Sequence, residues 1–395
     1  MNLSFSSRPK RLLKNPIYKA EQNEDSSRTQ AYDESPSDSD NAVDRGISGV
    51  SGKRVFVGLS GGVDSAVSAA LMQKAGAAVT GVFIKGWYPP GMPCTWAQER
   101  RDAMRVAAYL RIPFRTLDAS KEYKAGVIDY LLREYKAGRT PNPDIMCNRD
   151  VKFGAFYAYA MQEGADYIAT GHYAEIRRDE KGVHLLRGAD ATKDQSYFLW
   201  AVPKETLAQT LFPVGGMPKA SVRAQARALR LPNAAKPDSQ GICFLGTVSV
   251  EDFLRKEFGS TPGKALSVDG TEVGTHDGVV LRTLGERVAL ADAPPGPWYV
   301  LRKDMETNTL TVSHDREEES AEAKQSIQLL DSNFFTEPRP DMPLEAQYRY
   351  HGPRISGTFV NGVFTASVPL REAVASGQSL VLYLGEECIG GGSIK

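Results

Sequence analysis

Arg54-Val55-Phe56-Val57-Gly58-Leu59, followed at once by Ser60-Gly61-Gly62-Val63-Asp64-Ser65, decides how this chain is read. The first six residues form a short apolar run, the mark of a buried strand. A Gly-Gly turn follows. Then Val63, Val67, Ala70 and Leu71 recur at helical spacing until Gly76 stops them. Two adjacent glycines let a backbone approach a ligand closely and take dihedrals that other residues avoid. The N–H groups of the turn and of the first helical turn converge on one spot, where the helix dipole favours an anion. Ser60 and Ser65 add hydroxyl donors. Strand, loop and helix in that order predict a phosphate cradle. The lysine of the common G-x-x-x-x-G-K-[ST] loop is missing, so the cradle is of another type. The plainer alternative is a glycine turn with Asp64 capping the helix.

The flanking segments repeat the theme. Val79 to Ile84 reads as a second strand. Trp96, Ala103, Ala107 and Leu110 fall on one helix face. Ile112 to Leu117 is a third strand, and Asp166 to Thr170 is another, just before Gly171-His172. Strands alternating with helices predict βαβ units and a Rossmann-like parallel sheet, an α/β domain over residues 53–250. Beyond it the pattern changes. From Gly263 to His314 short β-type runs alternate with Gly and Asp turns. Ile327 to Leu329, Leu344 to Tyr350, Val363 to Val368 and Leu380 to Leu384 read as strands. Two small β-rich domains follow, over 251–320 and 321–395, the last barrel-like. Residues 1–52 are rich in Ser, Asp, Asn and Arg, lack an apolar period and read as a disordered tail. Order is expected to begin at Lys53. The first twenty residues hold Arg8, Lys10, Arg11, Lys14 and Lys19 and no acid, as basic flexible tails and organelle transit peptides both do.

A chain of 395 residues exceeds one ordinary core. No stretch approaches the roughly 18 apolar residues of a membrane span. Lys and Arg total 48, as do Asp and Glu, so the formal net charge is zero. A nucleic-acid partner would therefore be held by local basic patches. Lys219, Arg223, Arg227 and Arg230 make one basic stripe at helical spacing. A solvated helix face explains it equally well, and it is not counted among the site residues. The four cysteines, Cys94, Cys147, Cys243 and Cys388, form no C-x-x-C pair, and no metal-ligand spacing is present. They fit a reducing compartment, where a cysteine is either inert core or reactive chemistry. Cys94 and Cys388 read as small buried hydrophobes.

The other two cysteines sit in unusual company. In Gly138-Arg139-Thr140-Pro141-Asn142-Pro143-Asp144-Ile145-Met146-Cys147-Asn148, two prolines fix φ and push their predecessors into extended geometry. No ordinary helix is expected there, but a stiff loop presenting Asn142, Asp144 and Cys147 together. A helix follows, with Phe153, Phe156 and Ala160 on its inner face. A thiolate near its N-terminus is stabilised, and a neighbouring carboxylate can move a proton. Cys243 lies among glycines and polar turn residues in Ser239-Gln240-Gly241-Ile242-Cys243-Phe244.

The loop Ser60–Ser65 is similar to the signature of the PP-loop ATP pyrophosphatase superfamily, whose fold is of the adenine nucleotide alpha hydrolase type. That resemblance implies ATP with magnesium, split between the α and β phosphates. G-R-T-P-N-P-D-I-M-C-N, A-T-G-H-Y-A (169–174), K-D-Q-S-Y-F-L (193–199) and S-Q-G-I-C-F (239–244) resemble, in order, the motifs of the tRNA-specific 2-thiouridylases. The likeness covers roughly residues 53 to 395. It implies adenylation of the 2-oxygen of the wobble uridine, then sulfur transfer giving 2-thiouridine, AMP and pyrophosphate. It assigns ATP contacts to Gly58, Leu59, Ser60, Gly61, Gly62, Val63, Asp64, Ser65, Ile84 and Gly171. Cys147 takes the nucleophile position, Cys243 the persulfide position and Asp144 the proton-transfer position. Asn142, Pro143 and Asp144 fall on target-base contacts. Lys193, Asp194, Gln195, Arg349 and Tyr350 fall on further tRNA contacts, apt for phosphate and for stacking on a splayed base. The implied partners are tRNA and a sulfur-relay protein that loads the persulfide. A monomer without membrane attachment is expected, cytoplasmic, or organellar if the basic tail is a transit peptide. One departure stands out: in the stretch His276 to Arg287, Glu286 occupies a place where the family usually has glutamine.

Overall fold

The structure, a computed structural model, describes residues 49–89, 96–238, 249–315, 325–370 and 374–395. Most of the expected tail, Cys94, and the stretch Ser239–Phe244 with Cys243 lie outside the described residues. Packing starts slightly before Lys53. Val50 is buried in the core, and the Gly52 N–H donates to the Gly76 carbonyl over 2.9 Å.

The first part runs β1 (Arg54–Gly58), α1 (Val63–Lys74), β2 (Ala78–Lys85), α2 (Trp96–Leu110), β3 (Phe114–Asp118), α3 (Ser120–Tyr123) and α4 (Asp129–Lys136). α5 (Pro143–Met146), α6 (Phe156–Gln162) and β4 (Tyr167–Ala169) follow, then the hairpin of β5 (Ala174–Asp179) and β6 (Gly182–Arg187). α7 (Lys204–Ala208), β7 (Thr210–Leu211) and α8 (Lys219–Ala228) complete it, and α9 (Val250–Phe258) opens the central unit. Five strands form one parallel sheet in the order β3-β2-β1-β4-β7. Alternation along β1 decides the layers. Val55 and Val57 pack with residues of α1, α2 and α8, whereas Phe56 packs on the opposite face with Phe153 and Phe156. Each such buried side chain contributes about 1.5–3 kcal/mol. From β1 the order runs outward to β2 on one side and β4 on the other. The carboxyl ends of β1 and β4 therefore flank the crevice where such sheets bind ligands.

Two local expectations are corrected. Ile112–Leu117 begins too early, because Pro113 has no N–H for the ladder and only its carbonyl bonds, to Gly81 N at 2.9 Å. The segment from Gly138 to Asn148 is not a loop throughout. Pro143 is the first residue of α5, where a missing N–H costs nothing, and the Asn142 Oδ1 caps the helix by accepting from Asp144 N at 3.1 Å. A π-helical stretch, Cys147–Ala155, continues α5 directly into α6.

Two β-rich units follow, as expected. β8 (Gly263–Leu266), β9 (Glu272–His276), β10 (Arg287–Val288), β11 (Trp298–Asp304) and β12 (Thr309–Ser313) make one sheet around Val300, Leu310 and Val312. β13 (Ser326–Phe334), β14 (Leu344–Gln347), β15 (Ile355–Val360), β16 (Val363–Ala366), β17 (Ser379–Leu384) and β18 (Glu387–Ile394) pair in the order β13-β16-β15-β14-β17-β18. β18 pairs back onto β13 and closes a six-stranded barrel. β14 stops at Gln347, short of Tyr350. The chain turns there, with His351 left-handed (φ 56°) and Gly352 N donating to the Arg349 carbonyl over 2.9 Å.

The barrel is bonded to the first domain. β6 adds to β18 through Leu186–Glu387 and Leu185–Cys388. Thr140 N donates to Ser376 O at 2.8 Å, and the Tyr197 hydroxyl to Ser379 O at 2.9 Å. In the central unit Arg282 bridges Asp277, Glu251 (3.1 Å) and Glu286 (3.3 Å), while Arg255 joins Asp277 and Glu251. Glu286 also accepts from Thr283 N at 2.9 Å, so the departure from glutamine is absorbed by neighbours inside the protein. Among the described residues no helix is long and apolar enough to cross a membrane.

Candidate active site

The Ser60–Ser65 loop leaves β1 at the switch crevice. Gly62 is the N-cap of α1 and has no side chain to offer, so the first helical N–H groups are not capped from within. Ser65 Oγ accepts from Ser60 N at 3.3 Å and donates to Gly62 O at 3.1 Å, which folds the loop on itself. Gly61 is left-handed (φ 76°), and a Cβ there would lie 2.7 Å from the Glu99 carbonyl. Asn233, buried, steadies the same residue by donating to Gly61 O at 3.0 Å.

Asp64 does not cap the helix. Its carboxylate accepts from Lys219 Nζ at 2.6 and 2.8 Å and from the Tyr173 hydroxyl at 2.8 Å. Lys219 also meets Asp238 at 3.0 Å, and Asp238 pairs with Arg223. Burial alone would raise the Asp238 carboxyl, but Lys219 and Arg223 outweigh it and hold it below the usual range. Burial, helped by the Asp64 charge, pushes the Tyr173 phenol far up, so it stays a donor. Lys219 and Arg223 thus leave the solvated stripe and enter the site. Their placement depends on α8 packing against α1 through Val222 and Ala226, which residue spacing alone does not reveal.

A cavity of ≈ 490 Å³ opens beside this cluster. Of the expected nucleotide contacts, Gly58, Leu59, Ser60, Gly62, Val63, Asp64, Ser65, Ile84 and Gly171 line it; Gly61 does not, and is packed against α2. Gly171, after β4, touches the loop so closely that a Cβ would sit 2.8 Å from Ser65 N. Cys147, Lys193, Gln195 and Tyr350 line the same cavity, as does Lys152. Loop and sulfur are therefore brought to one place from residues about eighty positions apart. Cys147 itself is 4% exposed.

Not every expected residue reaches the cavity. Asn142, Pro143 and Asp144 lie outside its lining, at the start of α5. Burial raises the Asp144 carboxyl, with the Lys152 charge pulling the other way. Asp194 is buried and occupied within the protein. Its Oδ1 accepts from Gly188 N and Ser196 N, both at 3.0 Å, and its Oδ2 from Ser196 Oγ at 3.0 Å and Arg187 Nη1 at 3.4 Å. Gln195 is tied to Tyr173 in both directions, through its amide N–H at 2.8 Å and its Oε1 at 3.0 Å. Sequence reading passed over His172 and Tyr173, although both stand in the quoted A-T-G-H-Y-A. His172 lines the cavity, bonds Thr170 Oγ1 through Nδ1 at 2.7 Å, and is kept neutral by burial and by the Lys152 charge.

The likenesses to known proteins agree with this layout. A family model described as the tRNA methyl transferase HUP domain matches residues 53–247. Models described as a tRNA methyl transferase PRC-barrel domain and an aminomethyltransferase beta-barrel domain match 251–314 and 324–394. The tRNA-specific 2-thiouridylase MnmA of Lactococcus lactis subsp. cremoris (strain MG1363) is 43% identical over 356 residues, spanning 86% of this chain and 94% of its own. The chain belongs to the tRNA-specific 2-thiouridylase family. Another 2-thiouridylase of that name, from Enterococcus faecalis (strain ATCC 700802 / V583), is 42% identical over 356 residues, 86% of this chain and 95% of its own. Among solved structures, the U34-tRNA thiolase NcsA from Methanococcus maripaludis aligns with a TM-score of 0.33 at 18% identity, over 52% of this chain and 68% of that one. So distant a likeness carries no weight for the 2-thiouridylase site.

Proposed function

We propose that this chain is an ATP-dependent tRNA sulfurtransferase that converts the wobble uridine to 2-thiouridine and releases AMP and pyrophosphate. The carrying observation is that the Ser60–Ser65 loop and Cys147 line one cavity. An activation site and a sulfur nucleophile have reason to share a cavity when an activated carbon must be attacked before water reaches it.

ATP lies against the start of α1, with Gly58 to Ser65, Ile84 and Gly171 around it. Asp64 would hold the magnesium that accompanies ATP, and that ion offsets phosphate charge; the carboxylate already faces a cation, Lys219. The uridine O2 attacks the α-phosphorus, pyrophosphate leaves, and C2 then bears AMP as leaving group. Lys219 is placed to steady charge on the phosphates. Sulfur arrives as a persulfide on Cys243, loaded by a sulfur-relay protein. In one route its terminal sulfur attacks C2 and AMP leaves. The Cys147 thiolate then attacks the Cys243 sulfur, which leaves the transferred sulfur on C2. In the other, Cys147 first displaces the terminal sulfur as hydrogen sulfide, which attacks C2. Both routes end in one 2-thiouridine and one Cys147–Cys243 disulfide, reduced by an external thiol. The proton-retaining tendency that burial gives Asp144 suits proton transfer.

For the tRNA, Asn142, Pro143 and Asp144 serve the target base. Lys193, Gln195, Arg349 and Tyr350 make flanking contacts, while Asp194 holds the Lys193–Gln195 turn in shape. Mass spectrometry of tRNA incubated with the protein, ATP and a persulfide donor tests the reading. Wild type is expected to form 2-thiouridine with matching pyrophosphate. Cys147→Ser and Cys243→Ser should lose thiolation by on the order of 10³-fold or more, and Cys147→Ser should still release pyrophosphate. Normal 2-thiouridine from both variants would sink it.

A further inference from the structure

Resting on that reading, we propose that a second cavity beside the active site holds an unpaired nucleobase adjoining the target uridine. The cavity measures ≈ 460 Å³. Tyr350 lines both cavities, and the Lys193–Gln195 turn stands between them, with Asp194 on this side and Lys193 and Gln195 on the other. A substrate strand with one nucleotide extruded into the active site therefore has its neighbour within one linkage of this space.

The lining suits a base better than a phosphate. Tyr350 is 37% exposed, and its ring is braced by a tilted Phe198 ring (centroids 4.4 Å apart, planes at 50°) and by an edge-on His351 ring (4.0 Å, 74°). Such a platform is what splayed bases stack on. Gln347 is buried, and its Nε2 donates to the Gly352 carbonyl over 3.1 Å, so its Oε1 is the acceptor left over for a base edge. Arg187 is more than nine-tenths buried against the Tyr383 ring at 3.5 Å. Its Nη1 reaches Asp194, while Nε and Nη2 have no partner among the described residues. A buried guanidinium with unmatched donors is stabilised by a ligand that brings an acceptor. Glu175, Asp194 and Glu386 also face the cavity. Arg354 lines it as well, so the wall carries both signs of charge. A nucleobase, with N–H donors and carbonyl acceptors, matches both, whereas a backbone phosphate would face Glu175 and Glu386 as well as the guanidinium groups.

The test uses an anticodon stem–loop RNA with 2-aminopurine placed on one side or the other of the target uridine. Binding to the full chain should quench the fluorophore at one of the two positions. His351→Asn keeps the left-handed backbone of that residue (φ 56°), which asparagine tolerates, but removes the ring; it should reverse the quench. An abasic residue at the quenched position should raise the KM for thiolation about tenfold, with little further rise in His351→Asn. Thiolation without quenching at either position overturns the subsite and leaves the function reading intact. Quenching reversed by His351→Asn, in a protein that makes no 2-thiouridine, supports the subsite and overturns the function reading. Penalties from the abasic RNA and His351→Asn that simply multiply also overturn the subsite.

Discussion

Two ion-pair clusters put carboxylates and cationic side chains to different ends. At the active site Asp64, Lys219, Asp238 and Arg223 pair beside a cavity. In the central unit Asp277, Arg282, Glu251, Glu286 and Arg255 pair with each other, and Lys303 donates to the Arg282 carbonyl. In the first, Lys219 is 12% exposed, but its partner Asp64 is 30% exposed and belongs to the phosphate loop. An arriving anion can compete for that ammonium. In the second, every contact closes on another protein group. Charge density alone therefore says nothing about function, and what matters is whether the cluster borders space that a ligand can fill.

Breaking the clusters separately tests this contrast. Lys219→Met should reduce pyrophosphate release about 10²–10³-fold, as the loss of a group that stabilises transition-state charge does. Its thermal unfolding should change little, because water can reach Asp64 and Asp238. Arg282→Met should do the reverse. Asp277 and Glu251 keep Arg255, and the three carboxylates are 30–46% exposed, so losing Arg282 should cost about 1 kcal/mol of stability, read from urea melts, with kcat of the folded enzyme unchanged. Crossed results, a stable but inactive Arg282→Met or an unfolded Lys219→Met, would remove the distinction.

The smallest effect is a pH dependence. Burial pushes the Lys303 ammonium down to about 8 from 10.5, with Glu286 opposing. Between those values the unfolded chain keeps a proton that the folded chain has lost, so stability should rise with pH there, by up to about 1 kcal/mol per unit. Lys303→Met should flatten that slope in urea melts, and an unchanged slope would place its origin elsewhere.

Much of the fold was legible because local physics sets it. Apolar runs such as Arg54–Leu59 and a following Gly-Gly turn specify a buried strand and a cradle whatever else the chain does. Hidden elements lacked that signal. β18 contains Gly390, Gly391 and Gly392, which break apolar alternation, although it pairs with three strands. The β5–β6 hairpin has polar and charged residues on both strands, and its place is set by pairing with β18. Pro143 was misread because proline excludes a helix interior but not a first turn.

The site divides in the same way. Residue order alone singled out the loop and Cys147, since each lies in a short contiguous motif whose chemistry is local, whereas the Lys193–Gln195 turn was named by its resemblance to the family's motifs. Residue order could not place Lys219 against Asp64 or bring Tyr350 to the wall of the cavity. Those are contacts between segments more than a hundred residues apart. They exist only because α8 packs on α1 and because the C-terminal barrel, held by β18 to β6, seats its β14–β15 turn beside the parallel sheet's crevice. Long-range packing decides such neighbours, and sequence spacing carries no trace of them.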